Sequence, residues 1–200
     1  MIFYRWPYLI LLLLLIFLSA CAHPTTSYQI NASNTAQLSS IKGSASPKIS
    51  VGEISKVASR IDMKCRMGDI TFDANESIES YIRNALVDEL KAANIYSESS
   101  NKQLTSNIDS VSLSTFHAVE IITPAAQQFL DSKWNITMTF NGDGIDPFTI
   151  PSIYLFPTRE GFFDAVCENP RKKFSEAVGN LIKILFKHPS FTSFLNEDKK

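Results

Sequence analysis

The sequence predicts an α+β domain: an antiparallel sheet of about four strands with two amphipathic helices on one face, in the order β-α-β-β-β-α. Three observations predict it. Two stretches repeat their apolar residues at helical spacing, and runs between them alternate at period two. Turn residues separate the runs. Two amphipathic helices and a half-buried sheet bury their apolar sides most simply against each other, in two layers.

The elements follow in order. "KISVGEIS" (48–55) alternates imperfectly and makes a first strand, and "RMGDITF" a short further one. "DANE" (73–76) offers a capping-box variant, with Glu76 three residues after Asp73. Ile78, Ile82, Ala85, Leu86, Leu90 and Ala93 then recur at helical spacing, and Asn94 makes a C-terminal stop. From Leu104 the period becomes two: Val111, Leu113 and Thr115 oppose Ser110, Ser112 and Ser114. Trp134, Ile136, Met138 and Phe140 oppose Asn135, Thr137 and Thr139, the pattern of a half-buried strand. "NGDG" turns the chain into "FTIPSIYLF", where Pro151 marks an edge strand or a bulge. In "ENPRKKFSEAVGNLIKILFKHP" Asn169 is the expected cap and Pro170 sits in the first turn. Phe174, Val178, Leu181, Ile182 and Leu185 form the apolar stripe, and Pro189 ends the helix.

The 200 residues suit one domain with appendages. A net charge of -1 lacks the basic excess of a nucleic-acid binder, so no nucleic-acid partner is expected. The N-terminus is different in kind. Arg5 is the only charged side chain before Lys42, and an unbroken apolar segment follows it. That segment is shorter than the about 20 residues that span a bilayer. A basic start, an apolar centre and small residues at the end describe an export signal.

Leu18-Ser19-Ala20-Cys21 resembles the lipobox of bacterial lipoproteins. The resemblance implies a diacylglyceryl group on the Cys21 thiol, cleavage between Ala20 and Cys21, and palmitate among the acyl chains that anchor the protein. Two or three chains anchor a protein where one holds it only marginally. In the enterobacterial pattern Asp after the cysteine retains a lipoprotein at the inner membrane. Ala22 here implies the outer membrane, facing the periplasm. The expected organisation is a signal peptide over 1–20, a lipidated N-terminus and flexible tether over 21–47, and one periplasmic α+β domain over 48–195. The small, polar tether reads as coil and would reach about 85 Å when extended.

Cys65 and Cys167 remain once Cys21 is lipidated. In an oxidising compartment two leftover thiols most simply form one disulfide. A metal pair or a redox site is the alternative, although redox pairs favour Cys-x-x-Cys. No catalytic residue, metal site or cofactor is expected. His23, His117 and His188 stand apart from one another and from the cysteines, and no nucleophile-elbow, zincin or phosphate-loop motif is present. One residue breaks its pattern. Glu89 falls inside the apolar stripe of the first helix, where an unpaired carboxylate is costly. It either reaches water as the stripe drifts, pairs with Arg60, Lys64 or Arg66, or, least expected, is catalytic.

"CR" at 65–66, "YIRNALVDELKAANIYSE", the Trp134 strand, the later Cys167 and "LIKILFKHPSF" resemble a group of uncharacterised proteobacterial lipoproteins, over most of residues 64–194. The element order is also similar to envelope-assembly and transport-auxiliary lipoproteins, such as those of lipopolysaccharide export. The lipid anchor, the long tether and the lack of a catalytic constellation in the sequence point to a non-enzymatic lipoprotein that binds or supports an envelope protein partner. A small-molecule or lipid-binding module is the second reading, and an enzyme with an unfamiliar motif the third. The expected partner surface is the sheet face away from the helices, carrying Ser110, Ser112, Ser114, Asn135, Thr137 and Thr139.

Overall fold

The structure is a computed structural model that describes residues 27–41, 48–65, 68–72, 76–116, 129–159 and 165–196. Helix α1 (Ala32–Ile41) is followed by strand β1 (Ser50–Lys56), a 3-10 turn (Ala58–Arg60), and the short strands β2 (Ile61–Asp62), β3 (Lys64–Cys65) and β4 (Gly68–Asp69). Helix α2 (Ile78–Ala92), strands β5 (Gln103–Phe116), β6 (Phe129–Gly142) and β7 (Ile145–Arg159), and helices α3 (Ala165–Lys187) and α4 (Pro189–Asn196) complete the order.

The fold is α+β, as the sequence predicts. The main sheet runs β1-β5-β6-β7, and β2 extends it by pairing with β5 beyond the end of β1. Strands β5, β6 and β7 form an antiparallel meander. β1 and β2 pair with β5 in parallel, so the sheet is mixed rather than wholly antiparallel. A chain that leaves β1, crosses through α2 and returns as the neighbouring β5 arrives in the parallel sense.

The period-two runs place their apolar halves on one face. Leu104, Ile108 and Val111 of β5, Trp134, Ile136, Met138 and Phe140 of β6, and Phe148, Ile150 and Phe156 of β7 are buried there. Helices α2 and α3 cover this face. Trp134 meets Phe174 of α3 edge-on, with ring centres 5.0 Å apart, and its indole N–H donates to the Pro170 carbonyl at 2.9 Å. Phe174 also touches Tyr81 of α2 and Phe72, which joins both helices to the sheet. At the far end, a side chain at Gly142 would strike the Phe194 ring of α4 at 2.7 Å, so glycine there lets α4 close over the sheet.

Several boundaries differ from the expectation. Helix α2 starts at Ile78 with Ser77 as its cap, the hydroxyl accepting from the Ser80 N–H at 3.2 Å; Asp73 lies outside the described residues. Asn94, at φ 56°, does stop this helix. Helix α3 begins at Ala165, which puts Pro170 inside it, and Asn169 donates to the Pro157 carbonyl instead of capping. Pro189 ends α3 and opens α4, a position where its missing N–H costs nothing.

The largest departure is at the N-terminus. Residues 27–41, expected within the flexible tether, include a helix that packs against α2 and α3 with Leu38 and Asn34 fully buried. The remaining tether residues, the signal segment, Ala20 and Cys21 lie outside the described residues.

Candidate functional site

The six residues expected to form a partner face lie together on the outer side of the sheet. Ser110 pairs with Thr137, Ser112 with Asn135, and Asn107 with Thr139. The Asn135 amide donates to the Ser112 hydroxyl at 3.2 Å and to Ser114 at 3.5 Å. Thr139 donates to Asp109 at 2.8 Å and shares a 2.8 Å hydrogen bond with Thr149 of β7. No described helix packs on this side; the surface is a flat mesh of short hydroxyl and amide groups.

Its β7 margin is apolar. Ile153 and Leu155 are 60% and 66% exposed, with Pro151 and Pro157 in the same alternate row. The alternating pattern that marks β6 is absent from β7, because both of its rows carry apolar residues. The inner row holds Phe148, Ile150 and Phe156. Sequence reasoning therefore found the strand but not its exposed apolar row.

The edge of β7 is blunted against strand pairing. The carbonyl of Pro157 accepts from Asn169 at 3.0 Å and that of Ile153 from Asn180 at 3.5 Å, both on α3, so this row turns its backbone groups away from β6. Prolines at 151 and 157 in that row remove donors from the free edge without breaking the ladder, as Pro151 leads one to expect. Beside the edge, Tyr154 donates to Glu176, which Lys173 also contacts at 2.6 Å. Burial, and then the Glu176 hydrogen bond, push the Tyr154 phenol up to about 12.

A second polar constellation surrounds Glu89. Its carboxylate is 0% exposed and meets neither Arg60 nor Lys64, while Arg66 lies outside the described residues. Its partners come from the N-terminal segment. Oε1 accepts from the Tyr28 hydroxyl at 2.6 Å, the Asn31 backbone N–H at 2.7 Å and the Asn34 amide at 3.3 Å; Oε2 accepts from the Thr35 hydroxyl at 3.4 Å. Asn31 caps α1, its side-chain oxygen accepting from the Ser33 N–H at 2.9 Å. The carboxylate thus sits at the positive end of α1, where an anion is stabilised. Hydrogen bonds to a charged group contribute about 1.5–3 kcal/mol each, which offsets burying the carboxylate without a cation. Burial, and then the bond to Glu89, hold the Tyr28 phenol well above its ordinary range.

No family model matches the chain, and no curated protein matches it. Among solved structures it is similar to protein XCC0632 from Xanthomonas campestris, of the DUF330 family, at 10% identity over 87% of this chain and 99% of that one, with a TM-score of 0.48. It is similar to a protein from Helicobacter pylori described as a neuraminyllactose-binding hemagglutinin homolog, at 14% identity over 79% of this chain and 96% of that one, TM-score 0.46. The rare lipoprotein B of Shewanella oneidensis matches at 10% identity over 70% of this chain and 99% of that one, TM-score 0.36.

A groove of about 530 Å³ lies between β1 and α2. Arg83 and Glu79 on its wall have partners inside the domain, Arg83 donating to the carbonyls of Val51 and Gly52 and Glu79 pairing with Lys56 at 2.9 Å, while Glu53 and Glu98 also line it. Among the described residues no three His, Cys, Asp or Glu side chains gather as metal ligands. No described helix is long and apolar enough to cross a membrane. The side chains of Cys65 and Cys167 are outside the described residues. Their elements are neighbours all the same: β3, which ends at Cys65, packs against α3, whose first turn holds Cys167.

Proposed function

We propose that this chain is a non-enzymatic lipoprotein of the bacterial envelope, anchored through Cys21 at the outer membrane, that docks an envelope protein on the outer face of its sheet. The observation that carries the docking is the uncovered face itself: a polar mesh over β5 and β6 bordered by Ile153 and Leu155. A polar rim beside an apolar strip is how partner surfaces are built. The blunted β7 edge favours binding through side chains over strand addition.

Crosslinking in intact cells tests this reading. Ile153→Asp with Leu155→Asp should leave a folded protein and abolish a specific crosslinked product. Unchanged crosslinking in that folded variant moves the partner off this face. The anchor is tested separately: Cys21→Ser should lose palmitate label, and continued labelling refutes it. A Cys65–Cys167 disulfide is supported by the packing of β3 on α3, and joined peptides in a non-reducing map would establish it.

A further inference from the structure

We propose that residues 28–41 form a releasable strap, clasped by Glu89, whose docking or release sets how far the domain stands from its lipid anchor. The inference rests on the Cys21 anchor proposed above.

Glu89 is dedicated to this segment. All four of its hydrogen-bond donors among the described residues, Tyr28, Asn31, Asn34 and Thr35, belong to it, and they meet a carboxylate 54 to 61 residues away in the chain. A glutamate inside an apolar stripe has no use in helix packing; here it fits as the catch for the strap. Asn34 reaches across to α3 as well, donating to the Gly179 carbonyl at 3.1 Å.

The strap is also poorly fastened apart from this catch. It buries one apolar side chain completely, Leu38, with Tyr28 and Ile41 only partly buried against the core. The buried side-chain oxygen of Asn34 has no hydrogen-bond partner among the described residues. Helix α1 has ten residues, below the length at which isolated helices persist in water, so release also melts it. Elements with few buried apolar contacts open locally well below the free energy of global unfolding.

Covalent geometry turns this into a change of reach. With the strap docked, seven peptide steps separate Cys21 from Tyr28, a span of at most about 25 Å. With it released, twenty-seven steps separate Cys21 from Lys48, at most about 97 Å. The docked domain stays beside its own membrane, whereas the released domain can meet a partner set deep in the periplasm.

Hydrogen exchange on the full-length chain in liposomes tests the strap, and energy transfer between a bilayer dye and a label at Asp143, in the β6–β7 turn, tests the reach. Amides of 32–41 should exchange well before those of β5 and β6. Glu89→Ala should accelerate them about tenfold or more without affecting β5 and β6, and should lower the transfer. If Glu89→Ala does not fold, Tyr28→Phe removes one of the four donors and should move both readouts the same way. Strap amides that exchange only together with β5 and β6 overturn the proposal. So does unchanged transfer in a variant with accelerated strap exchange. Loss of palmitate labelling in the wild type overturns the anchor and the reach together, while the exchange result, which needs no lipid, still decides the strap.

Discussion

Strand β6 and helix α1 are held in place by opposite means. β6 is paired along nearly its whole length on both sides, and Trp134, Ile136, Met138 and Phe140 bury one face of it. Its order is written in its own alternation. Helix α1 has Leu38 as its one fully buried apolar side chain, and its polar anchoring is lent by Glu89 on a different helix. An element whose pattern is internal is fixed when the core forms. One fixed by borrowed contacts can leave while the core stays.

The largest effect that would sharpen this contrast is at the centre of the sheet. Trp134 is fully buried, packs on Phe174 and satisfies the Pro170 carbonyl. Trp134→Ala should cost about 3–5 kcal/mol of global stability, from the lost burial and the cavity left behind. Denaturant unfolding should show one cooperative shift with every probe. If only a local probe near α3 responds, the sheet is not the cooperative unit supposed here.

Leu38→Ala comes next. A buried leucine normally costs about 2–5 kcal/mol on truncation. Because the strap can leave alone, the global loss should stop at its own docking energy and fall below that of Trp134→Ala. Exchange at 32–41 should rise while β5 and β6 hold. A global loss as large as that of Trp134→Ala would erase the distinction between the two regions.

The same asymmetry explains what was legible in the sequence. Period-two alternation gave β5 and β6 and even the row of Ser110, Ser112, Ser114, Asn135, Thr137 and Thr139, because each side chain's direction follows from its neighbours in the chain. β7 was found but not phased, since Ile153 and Leu155 are as apolar as Phe148 and Ile150. Glu89 was visible as an anomaly, yet its partners were not. Tyr28, Asn31, Asn34 and Thr35 are ordinary polar residues whose meaning appears only when the fold brings α2 beside them. A stretch such as "ASNTAQLSSI" has no stripe of its own, so it read as coil. The cap of α2 moved from Asp73 to Ser77 for a local reason: both are good caps, and only backbone geometry chooses between them.

A smaller effect separates the regions by pH. The Tyr28 phenol has a raised pKa in the folded state, so its contribution is complete below its unfolded value near 10 and is lost as pH rises past it. Strap protection, after correction for the base catalysis that speeds every amide, should therefore fall above about pH 10, ahead of β5 and β6. Tyr28→Phe should abolish that alkaline step. Tyr154, pushed up to about 12, titrates in an overlapping range, and Tyr154→Phe is the control that should leave the strap step in place. An alkaline step that survives Tyr28→Phe would show that some other group controls the strap.

The smallest expected effect on stability is on the outer side of β5 and β6. Ser112 and Thr137 are only partly buried and face away from the helices. Ser112→Lys with Thr137→Lys keeps the inner row intact, and the two positions are not direct partners, since Ser112 pairs with Asn135 and Thr137 with Ser110. Removing the Ser112 hydroxyl leaves the Asn135 amide with Ser114 and solvent. The stability change should stay within about 0.5 kcal/mol per site, the ordinary range for surface substitutions. Two added charges should nevertheless abolish docking at this face, because an unmatched cation would have to be desolvated against the partner. Equilibrium unfolding and in-cell crosslinking of the same variant read the two halves. A large stability loss would mean the outer mesh helps hold the sheet, making β6 dependent on both of its faces. Intact stability with intact crosslinking would place the partner elsewhere.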